Sequence, residues 1–272
     1  MLIDSHAHLD MKEFNSDRQQ ILDRALKGGI TNIITIGVDL SSSYEALELA
    51  NKYDFIFSSI GFHPHNADKM DPSDLKALCE LVSDPNIVAW GEIGLDFYHH
   101  RSPPDKQVDV FEQQLEMAAH FNLPVIIHDR DAHREVLKIL QKREKGHNKG
   151  VIHCYSGDYD LAIAFIEMGY YISIPGTVTY KKAFQIQDVA ARIPLEYMLV
   201  ETDAPFLAPV PKRGKRNEPL LVTHTAKKIA QLRNMDFNEI AHHTSENTRR
   251  LFKLPAQKVE GTEKISDPVS QF

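Results

Sequence analysis

Cysteine is scarce in this sequence, and segments that anchor or export a protein are missing. Only two cysteines occur among 272 residues, Cys79 and Cys154, far apart and without metal-ligand spacing. This argues against a disulfide framework and fits a reducing compartment. No apolar run approaches the roughly 20 residues that cross a bilayer, and the N-terminus lacks the basic and apolar regions of a secretory signal. We therefore expect a cytoplasmic protein without membrane contact.

Net positive charge is also missing. The formal net charge is −7, from 38 acidic and 31 basic residues. Because an average negative field repels phosphate, a nucleic-acid substrate would have to bind through local positive charge, metal ions included. Hydrophobic residues at 42% and charged residues at 25% are typical of a globular protein that buries a substantial core.

Short apolar runs rich in Ile and Val alternate with longer amphipathic stretches. The runs are MLIDSHAHL, TNIITIGV, FIFSSIGFHPH, NIVAWGEIGLD, LPVIIHDR, GVIHCYSG, YYISIPG and YMLVETDAP. Continuous apolar runs are typical of strands covered on both faces. Between them lie helical patterns such as SDRQQILDRALKGG, with Ser16 or Asp17 as the expected N-cap.

This alternation predicts an α/β fold. Strands that alternate with helices form right-handed βαβ units and a parallel sheet, and about eight of them match a single (β/α)8 barrel of the TIM type. We expect one barrel domain over residues 1–254. Residues 255–272 are polar and without periodicity, so we expect a disordered tail there.

Polar side chains gather at the carboxyl ends of the predicted strands. They are His6, His8, His63, His65, Glu92, Asp96, His128, His153, Glu201 and Asp203. Because the carboxyl ends of parallel barrel strands open on one face, we expect these side chains to meet there. Residues i and i+2 of a strand share a side. His6 and His8 can therefore both reach the barrel mouth, as can Glu201 and Asp203.

The convergence of these residues indicates a metal centre. Each one alone is most often an ordinary loop or cap residue. Burying several ionisable groups together, however, costs several kcal/mol per uncompensated ion. Imidazoles with carboxylates are ligands of Zn, Mn and similar divalent ions, and carboxylates also suit Mg. Glu92 is the best candidate to bridge two ions, and no lysine stands at a strand end to bridge them instead.

Seven segments in chain order resemble the TatD family of metal-dependent deoxyribonucleases, within the amidohydrolase-like hydrolases. They are DSHAHLD, GFHPH, GEIGLD, PVIIHDRDA, HCYSGD, ETDAPFLAP and RNEP, and a later segment, TSENTRRLF, is similar to the family's closing helix. The resemblance implies two divalent metals. The first would be held by His6, His8, Glu92 and Asp203, and the second by Glu92, His128 and His153. It also implies removal of nucleotides from 3′ ends, preferably of single-stranded DNA.

Two metals about 3.5–4 Å apart would activate a water and neutralise charge on a phosphate. Asp203 would either orient that water and accept its proton or act as a ligand only. Glu201 is a candidate to orient a ligand histidine. We assign His63 to the phosphodiester or leaving group, whereas His65 is as compatible with a structural role.

A basic loop, PVPKRGKRNEP over residues 209–219, follows the last strand. It is either an ordinary solvated loop or a phosphate site over the barrel mouth, where such sites recur. An acidic protein with a phosphate-bearing substrate needs such a cluster, and we expect Arg216 first and Arg213 next to contact phosphate. Tyr98, after strand 4, would stack on a base with about 1–3 kcal/mol, or pack as a lid residue.

Three functions follow from these observations. The first is a metal-dependent 3′–5′ exodeoxyribonuclease, since a concave mouth admits a chain end more easily than a continuous duplex. The second is an amidohydrolase or esterase that acts on a small cyclic amide or lactone with the same metals. The third, a catalytically silent barrel, predicts broken ligand positions, and none is missing. The ligand set leaves Mg, Mn and Zn open, and no obligate protein partner is indicated.

Overall fold

A computed structural model describes residues 1–143 and 149–255, which form a parallel barrel. The strands pair in chain order, each with the next. They are β1 (Leu2–Ala7), β2 (Ile30–Ile36), β3 (Ile56–Ile60), β4 (Ile87–Asp96), β5 (Val125–Arg130), β6 (Gly150–Ile152), β7 (Tyr171–Ile174) and β8 (Met198–Val200). A parallel bridge between Ala7 and Ala204 joins the two ends of the sheet, and the backbone N–H of His8 donates to the Ala204 carbonyl at 2.7 Å. The predicted eight-stranded α/β barrel is confirmed.

Helices connect the strands and cover the outside of the barrel. They are α1 (Arg18–Lys27), α2 (Leu40–Lys52), α3 (Pro72–Leu81), α4 (Pro104–His120), α5 (His133–Gln141), α6 (Tyr159–Glu167), α7 (Phe184–Arg192), α8 (Val222–Arg233) and α9 (Phe237–Phe252). Asp17 is the N-cap of α1. Within the described ranges, no helix has the length and apolarity needed to cross a membrane. Of the predicted tail, residues 256–272 lie outside the described part of the chain.

Two apolar layers hold the barrel together. The outer layer lies between the strands and the helices and includes Trp90 and Phe111, both fully buried. The inner layer takes side chains from every strand. Its strand members are Ile3, Ile34, Ile36, Phe57, Val88, Ala89, Ile126, Val151, Tyr171 and Leu199. Leu251, Phe252 and Leu254, at the end of α9, pack against this inner layer. We call this apolar, helix-covered end the floor, and the opposite end, at the carboxyl ends of the strands, the mouth.

The sheet is irregular at two residues that face the mouth. The register between β1 and β2 shifts between Asp4 and Ala7, around His6. The register between β4 and β5 shifts between Trp90 and Ile93. Trp90 and Ile93 both pack in the outer layer although they are three residues apart, so strict alternation is broken there. Such irregularities re-aim a side chain, and Glu92 turns towards the mouth.

Gly94 brings β4 and β5 close together beside the mouth. Its φ is +138°, and a Cβ atom there would collide with the carbonyl oxygen of His128. Only glycine tolerates both the backbone conformation and the approach. The contact places His128 within reach of Glu92.

Candidate metal centre

Four side chains from β1 and the residue after it, from β4 and from the segment after β8 form a first cluster at the mouth. The Nε2 atoms of His6 and His8 are 3.3 Å apart. Glu92 Oε2 lies 3.4 Å from His6 Nε2 and 3.8 Å from His8 Nε2. Asp203 Oδ1 lies 3.7 Å and 3.3 Å from the same two nitrogens. Tetrahedral ligands about 2.0–2.2 Å from a zinc ion lie about 3.3–3.6 Å from one another, so these donors have the spacing of a divalent cation site.

The other oxygen of Glu92 faces a second cluster. Glu92 Oε1 lies 2.7 Å from His128 Nδ1 and 2.7 Å from His153 Nε2. These two nitrogens are 3.2 Å apart. One carboxylate thus offers one oxygen to each cluster, which is the geometry that a bridging ligand needs. All six side chains predicted as metal ligands lie together at the mouth.

Glu201 lies behind His153. Its Oε1 accepts a hydrogen bond from the backbone N–H of Cys154 at 2.6 Å and lies 3.6 Å from His153 Nδ1. The opposite ring nitrogen of His153 faces Glu92. A carboxylate orients a ligand imidazole by accepting a hydrogen bond from its other ring nitrogen. At 3.6 Å this bond is not formed, and His153 Nδ1 has no hydrogen-bond partner among the described residues, so the orienting role of Glu201 stays a prediction.

The buried charges at the mouth attract positive charge. Burial alone would raise the pKa of Glu92, but the charge of the His153 imidazole and the hydrogen bonds from His128 and His153 hold it well below its usual range. Burial also opposes protonation of His153, yet Glu92 and Glu201 raise the pKa of this imidazole well above its usual value. A divalent cation would take the place of the proton on such an imidazole, because metal binding competes with protonation of the ligand. The residues therefore fit divalent metal ions.

His63 differs from the other imidazoles at the mouth. Its Nδ1 accepts a hydrogen bond from the backbone N–H of His65 at 3.0 Å. A neutral imidazole has one donor and one acceptor nitrogen, so Nε2 carries the hydrogen, 3.3 Å from Glu92 Oε1. Burial lowers the pKa of His63 to about 3, which keeps the ring neutral. His63 presents a hydrogen-bond donor to the mouth.

The two arginines predicted to contact phosphate have different surroundings. Arg216 pairs with both carboxylate oxygens of Asp17, at 2.6 and 3.0 Å, and also donates to the Glu13 carbonyl. Its predicted role stays a prediction, and it requires Asp17 to release the guanidinium. Arg213 is exposed, and its guanidinium lies 4.4 Å from the centre of the Tyr180 ring.

Asn217, which the sequence patterns did not single out, holds the segment that carries Asp203. Its buried side-chain amide donates to the carbonyls of Thr202 at 2.8 Å and Phe206 at 2.6 Å. Asp4 fixes the same segment from β1, because it accepts hydrogen bonds from the backbone N–H and hydroxyl of Thr202. The signal available for Asn217 was its place as an uncharged polar residue between the charged Arg216 and Glu218.

Two exposed aromatic side chains lie on loops at the mouth. Tyr98 is 56% exposed, and the Arg130 guanidinium lies 4.9 Å from its ring centre. Phe206 is 47% exposed, and its ring centre lies 6.0 Å from that of His8. The sequence patterns did not single out Phe206, although a phenylalanine three residues after a predicted ligand was a usable signal.

Comparison with known proteins places the chain among relatives of similar length. The family model for TatD-related DNases matches residues 3–253. An uncharacterized metal-dependent hydrolase of Bacillus subtilis, YabD, is 41% identical over 254 residues, which cover 93% of this chain and 100% of that protein. The 3′–5′ ssDNA/RNA exonuclease TatD of Escherichia fergusonii is 35% identical over 258 residues, covering 93% and 99%. The crystal structure of YjjV, a TatD homolog from Escherichia coli K12, superimposes with a TM-score of 0.88 at 32% identity, covering 93% and 98%.

Proposed function

This chain belongs to the family of TatD-related DNases and is a metal-dependent hydrolase, and on that premise we propose that it removes nucleotides from the 3′ ends of single-stranded DNA. The observation that carries the proposal is the position of Glu92, whose two oxygens face two separate imidazole clusters at the mouth. The exonuclease name of the Escherichia fergusonii relative supports the same substrate class.

We propose that the mouth binds two divalent cations. The first would be held by His6, His8, Glu92 and Asp203, and the second by Glu92, His128 and His153. When bound, such ions activate water and neutralise charge on a phosphate. The mixture of imidazoles and carboxylates suits Zn²⁺ and Mn²⁺ and also admits Mg²⁺.

In this proposal two residues, Asp203 and His63, act on the reacting groups, and Glu201 positions a ligand. Asp203 accepts the proton of the attacking water, because its side chain is 13% exposed whereas that of Glu92 is 3% exposed. Glu201 orients His153. His63 donates its Nε2 hydrogen to a phosphodiester oxygen, which its tautomer permits without a change of protonation.

The substrate is bound by the rim of the mouth. Tyr98 and Phe206 offer exposed rings on which bases stack, a contact worth about 1–3 kcal/mol per base. Arg213 and Arg216 are the candidate phosphate contacts. The alternative, hydrolysis of a cyclic amide or lactone, would use the same metal ligands but would need neither the rings nor the arginines.

We also propose a single domain over residues 1–254 and a cytoplasmic location. The apolar layers run from Leu2 to Leu254, so the described part of the chain offers no internal boundary. Both cysteines are free thiols, which suits a reducing compartment.

An oligonucleotide assay tests the activity. The metal-free protein is incubated with a 5′-labelled single strand in Mg²⁺, Mn²⁺ or Zn²⁺, alongside a panel of lactones and cyclic amides. We expect stepwise shortening from the 3′ end that disappears with chelator. Hydrolysis of a panel compound without any oligonucleotide cleavage would contradict the proposal.

A further inference from the structure

A third cluster of ligand-type side chains lies beside the second and has no part in the proposed reaction. It consists of His65, Asp96 and His99, which we call the Asp96 cluster. Asp96 Oδ2 lies 2.7 Å from His65 Nε2 and 2.8 Å from His99 Nδ1. His65 follows β3, Asp96 ends β4, and His99 lies in the next loop. We propose that the Asp96 cluster binds a third divalent cation, separate from the two of the proposed hydrolytic centre.

The Asp96 cluster repeats the arrangement at Glu92. Glu92 Oε1 has imidazole nitrogens at 2.7, 2.7 and 3.3 Å, from His128, His153 and His63. Asp96 Oδ2 has imidazole nitrogens at 2.7, 2.8 and 3.3 Å, from His65, His99 and His128. In both places one buried carboxylate oxygen faces three imidazole nitrogens. The donor types and spacings found at Glu92 Oε1 are therefore present a second time at Asp96 Oδ2.

Asp96 has more polar nitrogen atoms around it than a carboxylate has lone-pair positions. Its Oδ1 already accepts the backbone N–H groups of Tyr98 at 3.0 Å and His99 at 2.8 Å. The three imidazole nitrogens at Oδ2 raise the number of nitrogen contacts to five, against about four lone-pair positions of a carboxylate. A cation between Oδ2, His65 Nε2 and His99 Nδ1 would replace two of these hydrogen bonds by coordination. The third imidazole, His128, would remain as a donor.

His128 connects the Asp96 cluster to the hydrolytic centre. Its Nδ1 faces Glu92, and its Nε2 lies 3.3 Å from Asp96 Oδ2. When Nδ1 is a metal ligand, Nε2 carries the hydrogen and donates to Asp96, which orients the ring. An ion held by Asp96 would fix this carboxylate and, with it, the position of His128.

Exposure and donor type indicate which ions the Asp96 cluster would take. The His99 side chain is 44% exposed and that of His65 is 20% exposed, whereas Asp96 is fully buried. An ion can therefore enter from solvent and keep water on its open positions. Two imidazoles with one carboxylate suit Zn²⁺ or Mn²⁺, whereas Mg²⁺ prefers oxygen ligands and retains its waters.

Metal analysis of the full chain tests the third site. Wild type and His99→Ala are stripped with chelator, loaded with Zn²⁺, desalted and analysed by mass spectrometry for zinc per chain. We expect His99→Ala to bind one zinc fewer than wild type, and we expect equal magnesium contents after loading with Mg²⁺. His242→Ala removes an exposed imidazole from α9 and should keep the wild-type zinc content.

The result is a difference between two proteins, so it does not depend on how many ions the hydrolytic centre holds. Equal zinc contents in wild type and His99→Ala would overturn the third site. If His99→Ala does not fold, as judged by circular dichroism, His65→Asn makes the same comparison. Glu92→Ala separates the two proposals, because it should lose the hydrolytic ions and still bind one zinc that Glu92→Ala/His99→Ala does not bind. If wild type binds one zinc more than His99→Ala but shows no nuclease activity, the proposed function is refuted and the third site stands.

Discussion

The floor and the mouth of the barrel are built from the same eight strands with different side chains. At the floor, Ile3 and Phe57 share one apolar cluster with Phe252, the last residue of α9, and with Leu254 just after it. At the mouth, six histidines and four carboxylates from the carboxyl ends of the strands meet. Apolar burial at one end fixes the strands, and this allows costly ionisable groups to be held close together at the other. Stability and chemistry should therefore respond to different substitutions.

The largest effect that we expect is at the mouth. Glu92→Ala removes a proposed ligand from both ions, so the activity should fall by about 10³-fold or more, or at least about 4 kcal/mol of barrier. The free energy of unfolding of the metal-free chain should change much less. Zinc content, nuclease rate and urea unfolding measure the three quantities. Full activity with unchanged metal content would show that Glu92 is not shared by two ions.

The matching change at the floor should have the opposite profile. Phe252→Ala leaves a cavity in the inner layer and should lower the free energy of unfolding by about 3–5 kcal/mol. Activity per folded molecule should stay within about twofold, because the mouth is held by its own hydrogen bonds. Urea unfolding and active-site-normalised rates provide the comparison. Phe184→Ala, at an exposed position of α7, is the control and should change neither quantity.

A substitution at Phe206 tests whether the loops around the mouth contact the bases of the substrate. Phe206→Ala should weaken binding of a single strand by about 1–3 kcal/mol, because a stacking surface is lost. A strand whose 3′-terminal residues are abasic should bind wild type and Phe206→Ala equally well. KM values for the two strands make the comparison, with Phe184→Ala as the control. If the variant loses as much affinity for the abasic strand, the ring does not contact a base.

The smallest effect concerns Arg216. Its ion pair with Asp17 is partly exposed, with side chains 33% and 26% accessible, so breaking it should cost about 1 kcal/mol or less of stability. If Arg216 contacts phosphate, Asp17→Ala frees the guanidinium and lowers KM, whereas Arg216→Ala raises it. KM is measured at low salt. Equal KM values for the two variants would show that Arg216 does not contact phosphate and has a structural role only.

Much of the mouth could be predicted from the sequence, because the carboxyl ends of all barrel strands lie on one face. Apolar runs predicted the strands, and their polar ends had to meet once the sheet closed. His6, Glu92 and Asp203 could be named in this way. Which atom of each side chain faces which neighbour could not be predicted, because register shifts around His6 and Glu92 decide where these side chains point.

Contacts between distant parts of the chain were beyond sequence reasoning. Arg216 looked free in its basic loop, but Asp17, 199 positions away, binds its guanidinium. Asn217 looked like an ordinary loop residue, although its buried amide holds the backbone next to Asp203. Gly94 carried no visible signal, since only the approach of β5 requires a residue without a side chain at that position.

Anomalous diffraction from crystals of the manganese- or zinc-loaded protein tests the bridging role of Glu92 most directly. We predict two anomalous peaks about 3.5–4 Å apart, one next to each oxygen of Glu92, whether or not a further peak occurs at the Asp96 cluster. A single peak at the mouth, or two peaks with the Glu92 carboxylate bound to neither, would contradict this account.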